Sequence, residues 1–124
     1  MAGNRGVRVW LVLAGLNGAA AVIAGALGAH ATAPGARALV ETGAHYQLVH
    51  AAVLVGIAAL ARPVGGWLLA LCGVAFVLGC VLFGGGLYLR AAGYTGLSFV
   101  VPIGGGAFIV GWLLLVAAGL RVRP

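Results

Sequence analysis

Apolar residues along this chain do not alternate with polar ones. They run on in four long blocks, at about residues 7–29, 44–61, 66–89 and 98–120. Each block is close to the roughly 20 residues that a helix needs to cross a ~30 Å hydrocarbon core. Inside lipid a segment must satisfy its own backbone, so blocks of this length predict membrane-spanning helices. Past Arg8, only Asn17 interrupts the first block, and the second carries the most polar groups at its beginning. The breaks have chemical causes. Thr32-Ala33-Pro34-Gly35 combines a capping residue, a fixed φ and a glycine, which makes a turn. Arg62-Pro63 with Gly65-Gly66 ends the second helix, because proline cannot continue it. The stretch from Arg90 to Gly96, with Gly93, makes the third turn. Residues 36–41 read either as a short interfacial helix or as an extension of the second span. The pattern predicts one all-α domain over residues 1–124, a four-helix membrane bundle.

Composition agrees. The 124 residues are 64% hydrophobic and 6% charged, with a mean hydropathy of +1.20, where a soluble domain carries about a quarter charged residues. The formal net charge of +6 comes from seven arginines set singly between apolar runs. No basic stripe with interleaved aromatics exists, which excludes nucleic acid as the expected partner. The arginines instead read as orientation signals. Arg5, Arg8, Arg62, Arg121 and Arg123 fall at one end, and Arg37 and Arg90 at the other. Five against two predicts both termini on the cytoplasmic side. A rival reading takes the first block as a signal peptide cleaved at Ala29-His30-Ala31. The apolar run after Arg8 is long for an h-region of about 7–15 residues, which favours a retained span.

Small residues recur on one face of three helices: Ala14, Gly18, Ala21, Gly25 and Ala29; Ala75, Gly79 and Gly86; Gly104, Ala107, Gly111 and Ala118. In lipid, helices associate by close backbone approach, and such stripes permit it. Trp10 and Trp67 fall near span ends, as belt residues would, whereas Trp112 lies mid-span and predicts a packing role. Cys72 and Cys80 are about 12 Å apart on a helix, too far to bridge, and read as small buried apolar side chains.

The chemistry-bearing residues gather around the first turn: His30, Glu41, His45, Tyr46, Gln47 and His50. Glu41 and His45 are four apart, so on a helix they share a face and can hydrogen-bond, as can Tyr46 and His50. His45 and His50 are rotated by about 140°, so they cannot chelate one ion from a regular helix, and no metal or cofactor is predicted. Two roles compete for His30, Glu41, His45, Tyr46 and His50. In one they bond to each other, to headgroups and to free carbonyls at helix ends. In the other, His50 faces the bundle interior as part of a proton path or ligand site. Asn17, mid-way through the first helix, predicts an interhelical hydrogen bond. The runs Gly84-Gly85-Gly86 and Gly104-Gly105-Gly106 lack the lysine and hydroxyl of a phosphate loop, and Ser98 has no nucleophile setting. No catalytic residues are predicted, and the chain is not expected to be an enzyme.

Four ordered motifs carry a resemblance. Gly25-Ala26-Leu27-Gly28-Ala29-His30 closes the first span, and Glu41 through His50 (ETGAHYQLVH) opens the second. Phe83-Gly84-Gly85-Gly86-Leu87-Tyr88 ends the third, and Pro102-Ile103-Gly104-Gly105 starts the fourth, followed by Gly111-Trp112. In that order they resemble the domain of unknown function 423 family, YgdD-like small inner-membrane proteins. Members commonly carry Phe-Ser-Gly-Ser before the Leu-Tyr pair. Here Gly84 and Gly86 stand for both serines, which puts in doubt any function needing those hydroxyls. The remaining motif positions, including Tyr88, Pro102, Gly104 and Gly105, are present. The resemblance implies four spans in an inner membrane and no established activity. The expected function is a multi-pass accessory or interaction module whose partners are the bilayer and other membrane proteins or a second copy. The alternative is binding or transport of a proton, metal ion or small solute through the His/Tyr/Glu cluster.

Overall fold

The four apolar blocks fold as helices in the computed structural model, which describes residues 2–31 and 33–123. Helix α1 is Ala2–Gly28 and α2 is Ala36–Leu60. The third span is built in three pieces: α3, Gly66–Gly79; a π-helical turn, Cys80–Gly84; and α4, Gly85–Ala91. Helix α5 is Val100–Leu120. No strand occurs among the described residues. Four helical stretches are long and apolar enough to cross a membrane: Asn4–Gly28, Ala36–Leu60, Gly66–Ala91 and Val100–Leu120. The chain is an all-helical, multi-pass membrane protein.

Helix α2 begins eight residues before the apolar block at position 44, so residues 36–41 extend the second span. The reason is local. Past Gly35 the sequence holds no breaker, and its polar groups are satisfied on the helix surface. Arg37 Nε donates to Glu41 Oε1 at 2.8 Å, and Thr42 Oγ1 donates to the Ala38 carbonyl at 2.9 Å. The first turn closes through Gly35, at φ 75°, a left-handed conformation that suits a residue without Cβ. Thr32, expected as the capping residue there, lies outside the described residues, and Gly35 occupies the N-cap position of α2 without a side-chain cap. The second turn follows Leu60, whose carbonyl accepts from the N–H groups of both Val64 and Gly65.

Sequential helices pack on one another. Helix α1 lies along α2, α5 lies along the third span, and α2 and the third span form the middle. Leu54, Ile57, Leu69, Cys72, Phe76, Cys80 and Phe108 make the most buried part of the core. The small-residue stripe of α1 meets α2, with Gly18 against Ala51 and Gly25 against Ala44. Gly104 of α5 packs directly on the Leu82–Phe83 backbone, inside the π turn, where any side chain would collide. Trp10 departs from its expected belt position. It is buried, and its ring lies over Gly73 of α3, whose missing side chain makes the space. Trp67 is exposed at its helix end, with the Arg121 guanidinium 5.4 Å from the ring centre. Both cysteines are buried and free, and Cys72 Sγ donates to the Gly111 carbonyl at 3.1 Å.

Candidate functional site

The residues gathered by sequence around the first turn do not converge. His30, Glu41 and His45 are exposed. Glu41 pairs with Arg37 one turn earlier rather than with His45, because an arginine four residues toward the N-terminus offers a full charge at the right spacing. Tyr46 keeps 45% of its surface exposed and lays its ring against Phe83, with centroids 4.8 Å apart. Of this group only Gln47 and His50 enter the bundle, at 6% and 3% exposure. Helical spacing explains the division. Gln47 and His50 lie three and six residues beyond Ala44, on the strip that continues through Ala51, Leu54, Ile57 and Ala58. His45 and Tyr46 lie off that strip.

Two polar constructions result. The first crosses three spans. Tyr88 Oη donates to Gln47 Oε1 at 2.8 Å, and Gln47 Nε2 donates to Asn17 Oδ1 at 3.1 Å. Asn17 Nδ2 in turn donates to the Leu13 carbonyl of its own helix at 2.9 Å. Asn17 thus makes an interhelical bond, and its partner is Gln47. Gly43 makes the close approach possible: a methyl group there would lie 2.8 Å from Tyr88 Cε1. The Gln47 carbonyl also sits 4.0 Å from Cys80 Sγ, the first residue of the π turn.

The second construction is centred on His50. Its Nδ1 lies 2.7 Å from the Tyr46 carbonyl, and Trp112 Nε1 donates to its Nε2 at 3.1 Å. An indole nitrogen can only donate and a carbonyl can only accept, so both contacts are met by the neutral imidazole with its proton on Nδ1. The ring stacks on Phe108, with centroids 3.8 Å apart and planes 12° from parallel, and Phe76 lies 5.2 Å away. His50 therefore pins α2 to α5 across an aromatic box. Trp112 has the mid-span packing role expected of it, and it also supplies a hydrogen bond that helical spacing within one span could not reveal.

The other motif positions serve contact with the third span or lie outside it. Gly104 is buried on the Phe83 backbone, Gly105 borders the Phe83 ring, and Pro102 is exposed in the first turn of α5. Among the described residues, no buried side-chain nitrogen or oxygen lacks a hydrogen-bond partner. Nor do three or more His, Cys, Asp or Glu side chains come together there as a metal site would require. The arrangement can hold helices in register. Among the described residues, each buried polar side-chain atom already has at least one partner within the protein.

Comparison with known proteins agrees with this architecture. A family model described as "Protein of unknown function (DUF423)" matches residues 24–105. The chain is 34% identical over 122 residues to the UPF0382 inner membrane protein YgdD of Escherichia coli K12, covering 94% of this chain and 92% of that one. It is 33% identical over 121 residues to the UPF0382 membrane protein YwdK of Bacillus subtilis, covering 93% and 98%. A UPF0382 membrane protein of Staphylococcus epidermidis is likewise 33% identical over 126 residues, with the same coverage of both chains. No solved structure matches the chain.

Proposed function

The chain belongs to the DUF423 family of membrane proteins of unknown function, and on that premise we propose that it is a non-enzymatic accessory or interaction module. Its interior polar residues fasten helices together and do not handle a substrate. The observation that carries this reading is the internal pairing of these groups. Tyr88, Gln47 and Asn17 use one another, and His50 uses Trp112 and a backbone carbonyl. A proton or ion path would need a group that can exchange its partner for a solute, and polar groups in lipid are otherwise retained as interhelical ties. The exposed placement of His30, Glu41 and His45 argues in the same direction. Partners of this module are the bilayer and other membrane proteins or a second copy, met through the outer helices α1 and α5. The arginine distribution supports termini on the cytoplasmic side.

The test pairs a measurement on His50→Ala with one on the wild-type chain. The structural role predicts a clear loss of thermal stability in detergent, together with recovery of the wild-type chain in a larger complex after mild solubilisation. Unchanged stability, with loss of proton or solute flux in proteoliposomes, would overturn the proposal in favour of transport.

A further inference from the structure

We propose that the cavity between the start of α3 and the end of α5 binds the phosphate of an anionic membrane phospholipid, with Arg121 and Arg123 as its ligands. The cavity measures about 400 Å³ and is walled by the 63–68 segment on one side and by Ala118, Arg121, Val122 and Arg123 on the other. It opens at the end of two membrane-spanning helices, where the headgroups of a bilayer lie. Leu68, Ala118 and Val122 are among its lining residues, and such apolar surface suits the glycerol and the first carbons of the acyl chains. Arg121 is already positioned. Its guanidinium stands over the Trp67 ring, an attraction that restrains the side chain while leaving planar N–H edges able to hold two phosphate oxygens.

Charge makes the vacancy of partners acute. Glu41 is the only acidic side chain in the sequence, and it is engaged with Arg37 at the opposite end of the bundle. Arg5, Arg8 and Arg62 belong to the same end as the cavity and add to its positive field. Among the described residues no acidic side chain lies at that end, so an anion from outside can serve as counter-charge to Arg121 and Arg123. Basic pockets between transmembrane helices at this level recognise anionic headgroups. A lipid fits better than free phosphate because the arginines share the cavity with the apolar side chains of Leu68, Ala118 and Val122. The inference rests on the bundle lying in a membrane and is independent of the accessory role.

Delipidated full-length protein in neutral detergent, titrated with phosphatidylglycerol or with phosphatidylcholine of the same chains and read by native mass spectrometry, tests it. Wild type should favour phosphatidylglycerol. Arg121→Gln and Arg123→Gln should each weaken that binding about fivefold, the effect of one basic residue near an anionic surface. Arg37→Gln and Arg90→Gln at the far end should leave it unchanged. Arg123→Gln, at an exposed position past the last helix, keeps the test open if the Arg121 variant folds poorly. Equal binding of both lipids, equal loss in the far-end variants, or displacement of the lipid by millimolar inorganic phosphate would each overturn the assignment.

Discussion

Gln47 joins more of this molecule than an uncharged amide on a membrane helix would suggest, because its two ends reach two different spans. Gln47→Leu keeps the volume and the apolar contacts but leaves Tyr88 Oη and Asn17 Oδ1 without their partners. In membranes such bonds are each worth about 1 kcal/mol, and stranding buried groups adds to that. A loss of about 1–3 kcal/mol is expected, measured by reversible unfolding in mixed micelles. Tyr88→Phe should cost less than Gln47→Leu, since it strands one group instead of two. Glycines give a sharper contrast. Gly104→Ala would drive a methyl into the Phe83 backbone, which has no freedom to turn aside, whereas Gly106→Ala enters open space. The first should destabilise by about 2 kcal/mol or more and the second should be neutral or slightly stabilising, read in the same assay. The substituted motif serines divide in the same way. Gly84 has 3.7 Å of room beside Gln47, so Gly84→Ser should fold, while Gly86 is crowded by Val100 and Val101 and its serine variant should lose stability. None of these partners was legible in the sequence. Asn17 announced itself as a polar intruder in an apolar run, and Gln47 lay in the same strip as His50. Which side chain meets which, however, is set by the relative height of helices that are far apart along the chain.

At the scale of elements, the apolar blocks made the four helices readable, because lipid imposes both a length and a helical backbone. The ends were less readable. Helix α2 starts at Ala36 because charge at an interface does not stop a helix, and a hydropathy edge marks where lipid is met rather than where hydrogen bonding begins. The π turn at Cys80–Gly84 left no sign at all in a segment of uniformly apolar residues. Its i→i+5 bonds accommodate one residue more than an α turn. On either side of it Phe76 faces Gly111 of α5 and Tyr88 faces Gln47 of α2, a phase that the extra residue is expected to set. Deleting Val81, exposed within the π turn, should let the segment relax to an α-helix with both faces preserved. Deleting Val74, also exposed but in regular helix, should rotate the buried face of Leu68, Leu69 and Cys72 by about 100° against the rest of the span. Size-exclusion profiles and helical circular dichroism in detergent should show the Val81 deletion as monodisperse and folded, and the Val74 deletion as aggregated. Equal damage from the two would mean that the π turn is not what sets the phase.

For the molecule as a whole, lipid decides both what holds the bundle together and how it lies. Hydrophobic residues such as Leu16, Ile23, Ile109 and Leu113 face outward on α1 and α5, an arrangement stable only where the surroundings are as apolar as they are. With association left to glycine contacts and a few hydrogen bonds, nothing within the bundle distinguishes its two ends to the insertion machinery. The arginines do. Arg5, Arg8, Arg62, Arg121 and Arg123 at one end outweigh Arg37 and Arg90 at the other, where Glu41 already neutralises Arg37. A fluorescent protein fused after Pro124 should therefore shine in a bacterial host, and alkaline phosphatase fused there should be inactive. Replacing Arg5, Arg8 and Arg62 by Gln leaves two arginines at each end, and both fusions should then report mixed orientation. Active phosphatase on the unaltered chain would reverse the assignment. It would move the Arg121 cavity to the other leaflet while leaving its chemistry, and every helix contact described for the bundle, as they stand.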